Sequence, residues 1–492
     1  MSARFSRNLV YNIIGSLLPI VSALITVPIY IHLIGAPRYG IVSIAWILLG
    51  YFGFLDFGLS RASANALGRL GYATSAERAP VFMTALYLNL IVGLMGSVVL
   101  FVVGSFLLRD AITISPDLRQ ETLAAFPWMV PMLPLGMVLG VPIGALESRE
   151  RFFLSSLLLA SGTMMGQMLP LLFALIFGNS LGVIIPSLLL ARLLSVLLTF
   201  AIAVRLEWPI RPAGFHWGWA RKLFGYGAWV SITGLISPVL DTFDQILIGR
   251  MLGAAAIAYY AVPMNLAMRS QVLATALART LFPRISREGR EAGRRIMAHA
   301  TISLIYVFGA ICAPAIFVVG PFLEIWVGHD FAQHARPIAQ ILMLGAWMSG
   351  IAFMPYNQLQ AQGQPDLTAK VRAAEVVPFV IGLWLLISVS GLWGAAVAWA
   401  IRVGGDCFAL LWLARCLEES SLLRTMPAVV LMGLSFGIVE TVDLEPTVSL
   451  VLGAVASLVF LGFGLVLEPA LRDAARQCIK WMLARILRRG AS

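Results

Sequence analysis

Long apolar runs separated by short polar joints occupy almost the whole chain. About 20 apolar residues cross the hydrocarbon of a bilayer as a helix. Fourteen stretches reach or approach that length, near 8–34, 40–60, 80–107, 122–146, 152–177, 180–205, 223–249, 254–279, 298–325, 334–362, 370–389, 391–414, 425–441 and 447–467. The thirteenth is the shortest. The pattern predicts an all-α integral membrane protein of about 14 transmembrane helices. The first run is too long for a signal-peptide core and shows no convincing cleavage site, so it reads as a retained span.

Composition agrees with the pattern. A soluble chain of 492 residues needs a polar coat, and a chain 60% hydrophobic and 12% charged does not supply one. The net charge is +11, and 32 of the 35 bases are arginine. Such a balance admits nucleic acid, an anionic membrane surface or an anionic substrate. Placement decides among them. With the N-terminus inside, 27 bases fall in cytoplasmic segments and 5 in outer ones, while Arg192, Arg269 and Arg402 fall within spans. An inside excess of Lys and Arg orients polytopic proteins. Both termini are therefore expected in the cytoplasm, and most of the charge is explained without nucleic acid. Cys312, Cys407, Cys416 and Cys478 lie far apart with no metal-ligand spacing, so they read as free thiols.

The chain also reads as doubled. The shift that lays "IHLIGAPRYG" (31–40) on "GRMLGAAAIA" (249–258) also lays Arg61 on Arg279 and Arg69 on Arg287. Spans 1 and 2 fall on spans 7 and 8 in the same direction, which is a parallel repeat of six spans. Repeats of this kind put a transporter's site between the halves. The domains expected are an N-lobe over 1–206, an amphipathic linker over 207–222, a C-lobe over 223–416, two more spans over 417–468 and a basic tail over 469–492. The linker holds three Trp within 207–227 and suits the cytoplasmic interface. The tail sets Leu471, Ala475, Cys478, Met482 and Ile486 on one side and arginines on the other, so it should lie along the inner leaflet.

"RNLVYNIIGSLL", "YIHLIGAPRYGIVSIAW" and "LDFGLSRASANAL" in the first half, and residues 220–263 in the second, resemble the polysaccharide-unit flippases of the O-antigen type. These belong to a superfamily shared with multidrug and toxin extruders and lipid II flippases. The resemblance implies two six-helix lobes in a V around a central cavity that opens alternately to each side. It implies a lipid-linked oligosaccharide, carried on an isoprenoid pyrophosphate, as substrate. It places the chain in a bacterial inner membrane, with polysaccharide polymerase or ligase machinery as a further partner.

Charges within spans are the residues that need explaining, because each costs roughly 2.5–3.5 kcal/mol at the bilayer centre on insertion scales. Arg192 lies deep in span 6, Arg269 in span 8 and Arg402 in span 12, with Asp406 one turn after Arg402. Asp241 and Asp244 share a face of span 7, and Asp56 lies near the inner end of span 2, before Arg61. Guanidinium binds phosphate bidentately and stays charged, so Arg192, Arg269 and Arg402 are the expected cavity contacts for a pyrophosphate. Asp56, Asp241, Asp244 and Asp406 are expected to couple H+ or Na+, or to pair with bases between helices. Both roles stay open for them. Pro127, Pro131, Pro134 and Pro142 crowd span 4 and permit bends, either as a gate or as a static kink.

No GxxxxGK[ST] and no HExxH occur, so no cofactor or metal is expected. His329 and His334 read as surface histidines. Two other functions compete. One is a cation-coupled exporter of small molecules, which would use the acids. The other is a membrane polymerase or ligase for glycans. That reading wants a large outer loop, and the longest outer loop, near 108–121, has only some fourteen residues.

Overall fold

The computed structural model describes residues 3–52, 59–70, 74–149, 151–207, 214–223, 236–271, 290–362, 364–416, 419–442, 444–469, 471–473 and 476. Every regular element among them is helical. In chain order they are α1 (Ala3–Phe52), α2 (Leu59–Arg69), α3 (Ser75–Phe106), α4 (Pro116–Ala125), α5 (Met132–Ser148), α6 (Phe152–Phe177), α7 (Leu181–Glu207), α8 (Ile236–Leu252), α9 (Ala254–Arg269), α10 (Arg290–Val327), α11 (His329–Ala361), α12 (Pro365–Leu413), α13 (Glu419–Thr441) and α14 (Pro446–Leu467). A short helix also covers 217–223.

Ten helical runs among the described residues are long and apolar enough to cross a membrane. The protein is an all-α, multi-pass membrane protein. The count differs from the expected fourteen for physical reasons. Expected spans 1 and 2 share the continuous run of α1, and spans 11 and 12 share that of α12. Each of these runs is broken by one glycine in a left-handed conformation, Gly35 (φ 78°) and Gly391 (φ 59°). α8 and α9 have 17 and 16 residues, short of the usual ~20.

Gly253, between α8 and α9, has φ 90°. It is the residue onto which the sequence repeat carries Gly35, so one left-handed turn falls on the other. Only glycine takes this conformation without a Cβ penalty, which is why the Gly-Ala pair survives in both copies. Gly178 and Gly328 make the corresponding breaks before α7 and α11.

Span 4 is not one helix. The chain leaves α4 through a tight 3-10 turn at Phe126–Trp128 and re-enters a helix at Met132. Pro127 and Pro131 lie in this break, where a missing N–H costs nothing, and Pro142 remains inside α5.

The chain divides into two units, Met1–Ala258 and Tyr259–Ser492. In the first, α5 is the central helix, packed by α2, α3 and α7, while α6 joins α7 to α1. Leu59, Leu67, Val81, Phe82, Val141 and Ala145 form one core there. Arg78 is buried within this packing, donating to the Leu67 carbonyl at 3.0 Å and to Ser148 Oγ at 2.8 Å. It ties the end of α2 to α5. Glu121 of α4 holds Arg38 at 3.0 Å and accepts the Leu181 N–H at the start of α7.

In the second unit, α10 is central, packed by α11, α13 and α14, and α12 packs on α11. Glycine notches receive aromatic rings here. Phe460 fills the notch at Gly309, Phe308 the one at Gly350 and Trp399 the one at Gly345. An added Cβ would overlap the ring at each of them. Small residues let membrane helices approach closely in this way.

Beside the first unit's core, Phe215 and Trp217 of the linker are exposed, and Lys222 sits 4.9 Å over the Trp219 ring. The tail beyond 476 lies outside the described residues, as does the basic segment 272–289.

Candidate functional site

α7 carries Arg192 near its middle. Successive residues on a helix are about 100° apart. Leu188, Ala191, Ser195, Val196 and Thr199 are buried and define the face of α7 that packs into the unit. Leu190, Leu193, Leu194, Leu197 and Leu198 are exposed and define the opposite, lipid-facing side. Arg192 falls in the middle of the packed face, roughly opposite those leucines. Its side chain is nevertheless exposed. From the packed face its guanidinium reaches across to Gly136 of α5. Among the described residues it has no ion pair or hydrogen bond.

Two glycines make room. Gly136 of α5 faces the Arg192 guanidinium so closely that a Cβ there would lie 2.5 Å from its terminal nitrogen. Gly162 of α6 faces Ser195 Oγ in the same sense, again without space for a Cβ. Gly136, Gly140 and Glu147 share one partly open face of α5. Charged, accessible and without an acid beside it, Arg192 is suited to an anion.

Arg269 ends α9 and is exposed, with exposed Asn265 one turn before it on the same face. Among the described residues it has no partner.

Arg402 has different surroundings. It is half-buried on α12, with its guanidinium 5.1 Å from the Phe379 ring centre. Asp406, one turn on, and Glu375, on the earlier arm of α12, lie within its electrostatic reach, and Arg372 lies near both acids. Arg372 also stacks over Tyr356 at 5.3 Å. Two bases and two acids thus form a near-neutral quartet. Among the described residues, no bond of hydrogen-bond geometry reaches either carboxylate oxygen of Glu375 or Asp406 Oδ1.

Asp244 of α8 is buried at 1% exposure and accepts the Gln245 N–H at 2.7 Å. The Gln245 side-chain oxygen beside it is buried and has no hydrogen-bond partner among the described residues. Asp241 lies on the same helix, but its side chain is outside the described groups. Asp56 lies outside the described residues altogether. Among the described residues no three His, Cys, Asp or Glu side chains come together to hold a metal. His329 instead spans Glu324 at 2.8 Å and Gln333 at 2.7 Å in an exposed network.

Sequence reasoning missed Glu375, and it reads the repeat of Gly136, Gly140 and Gly144 only as a small-residue face for close packing. Glu375 sits near the start of its span, where a charge raises no alarm. A usable signal existed. Glu375 and Asp406 stand almost equally far from Gly391 on its two sides, so a hairpin at that glycine brings them level.

A family model described as Polysaccharide biosynthesis protein matches residues 5–288, more than half of the chain. The chain belongs to that family. It is 27% identical over 413 residues to a Shigella flexneri protein named "Putative O-antigen transporter", covering 83% of this chain and 97% of that one. Its fold resembles that of lipid II flippase MurJ in an inward closed conformation, with a TM-score of 0.72, 14% identity and coverage of 96% of this chain and all of the other. It also resembles an inward-facing multidrug resistance transporter of the MATE family, with a TM-score of 0.67 at 14% identity, covering 85% of this chain and 99% of that one. At such identities these structures establish a common fold.

Proposed function

We propose that this protein is a flippase that moves an isoprenoid-pyrophosphate-linked oligosaccharide from the cytoplasmic to the outer leaflet of a bacterial inner membrane, for cell-surface polysaccharide assembly. The polysaccharide family and the O-antigen transporter relative support the substrate class. The observation that carries the mechanism is Arg192, an exposed guanidinium laid against Gly136 of α5, with no ion pair or hydrogen bond among the described residues.

The physical problem is the sugar head. Each unpaired hydroxyl costs roughly 2–7 kcal/mol in hydrocarbon. A water-filled path removes that barrier, and a fixed cation in the path holds the pyrophosphate. Arg192, Arg269 and Arg402 are assigned to this path, whose access alternates between the two sides of the membrane, and the six-span lobes are assigned to 1–206 and 223–416. Both termini are assigned to the cytoplasm, a placement that the distribution of bases supports. The buried acids Asp244 and Asp406, with Asp56 and Asp241, are assigned to H+ or Na+ coupling. Glycan polymerase or ligase machinery is the expected recipient of the product.

Transfer of a lipid-linked oligosaccharide across reconstituted vesicles tests this reading. The wild type should transfer it, and Arg192→Ala should transfer it at least about tenfold more slowly. Equal transfer by both proteins refutes the cationic path. Drug efflux with no lipid-linked transfer moves the assignment to the exporter function.

A further inference from the structure

The close approach of Gly136 to Arg192 fixes more than packing. A Cβ at Gly136 would lie 2.5 Å from the nearer terminal nitrogen of Arg192, 3.5 Å from Cζ and 3.6 Å from Nε. No other atom lies as near that point, so the closest contacts all belong to the guanidinium. Under 3.0 Å something has to move. What moves is the far end of a flexible side chain, not backbone. The fold has no reason to suffer, but the charged group must leave its place.

We propose that Gly136 is a positioning residue for substrate: it seats the Arg192 guanidinium flush against α5, so that its remaining N–H edge is held ready to take the pyrophosphate. This rests on the reading of Arg192 given above. Bidentate recognition of phosphate depends on the plane and edge of the guanidinium, not only on its charge. A guanidinium laid against a bare stretch of helix backbone keeps its plane at little entropic cost. One methyl group at position 136 tilts it away. Gly140, one turn further along α5, continues the bare strip on the same side.

The residue's effect should therefore run through Arg192 and through nothing else. Gly166 on α6 offers the control, since an added Cβ there meets nothing within 4 Å. The measurement is binding of geranyl pyrophosphate to the purified full-length protein in nanodiscs, with thermal unfolding recorded on the same samples. Gly136→Ala is expected to weaken binding about tenfold with unfolding unchanged, and Gly166→Ala to change neither. In an Arg192→Ala background, Gly136→Ala is expected to cost nothing further. The inference is overturned by wild-type binding in Gly136→Ala, or by an equal loss in both backgrounds, which would mean an effect not routed through Arg192. A Gly136→Ala protein that unfolds early would also overturn it, because the contact would then be structural. If Arg192→Ala itself binds as well as the wild type, the cationic path fails before the positioning is reached, so the two failures are separable.

Discussion

Arg192 and Arg402 sit at comparable places and live differently. Each follows a left-handed glycine, Gly178 or Gly391, by about three to four helical turns. Arg192 emerges beside a bare glycine with no acid near it. Arg402 is set among Glu375, Asp406 and Arg372 and covered by the Phe379 ring. Depth in a span sets what a charge costs, and its neighbours set what it can do. A compensated cation holds helices together. An uncompensated one in an opening is free to hold an anion. Of the two arginines, Arg192 is therefore the better candidate for substrate contact and Arg402 the better candidate for a tie between helix arms.

The largest effect should come from breaking the compensated set. Arg402→Ala leaves two half-buried carboxylates with one base. Orphaning one partner of a buried ionic set costs about 3 kcal/mol. Thermal unfolding of the purified protein should show it, with loss of transport following from loss of fold. A stable Arg402→Ala protein that has lost only transport would erase the contrast and show that Arg402 serves the path as directly as Arg192 does.

Arg192→Ala should give the opposite signature. Nothing pairs with this side chain among the described residues, so unfolding should stay within about 0.5 kcal/mol of wild type. Losing a charge-assisted bond to phosphate costs about 1.5–3 kcal/mol, or roughly ten- to 150-fold in transport rate per unit of substrate. Initial rates of lipid-linked oligosaccharide transfer check this. A drop in stability with unchanged transport would make Arg192 structural.

A smaller effect should follow from removing charge in pairs. Replacing Arg402 and Asp406 together by methionine leaves Arg372 with Glu375, one base with one acid. Replacing a buried pair by apolar residues of similar size is often near neutral. The double variant should unfold within about 1 kcal/mol of wild type, well above Arg402→Ala. If the double variant is as unstable as the single one, the quartet is not the unit that matters.

Much of this was legible along the chain. The repeat lays Gly35 on Gly253, and both are left-handed, so one backbone turn left the same Gly-Ala signature in each copy. Arg192 stands out as a candidate from its depth alone. Its seat was not legible, because that depends on Gly136, far back in the chain on another helix. Arg78 shows the converse. Counted among the inside bases that orient the protein, it is also a buried tie between α2 and α5. The charge rule reads which side a base is on and says nothing of what it touches. The quartet was hidden for the same reason. Its members meet only once the hairpin at Gly391 closes.

The finest test concerns Phe379, which is buried with Arg402 over its face. Phe379→Leu removes ring volume as well as the π face, so its raw loss mixes packing with electrostatics. The two separate in a cycle. Measured in wild type and again in the Arg402/Asp406 double-methionine protein, the packing loss is common to both and cancels. What remains is the attraction between ring and guanidinium, about 0.5–1 kcal/mol for a partly desolvated contact. A coupling of that size shows that the second unit neutralises its arginine with a ring as well as with carboxylates, a device for which Arg192 has no counterpart among the described residues. A coupling of zero would mean that the ring only fills space, and that the contrast between the two arginines rests on Glu375 and Asp406 alone.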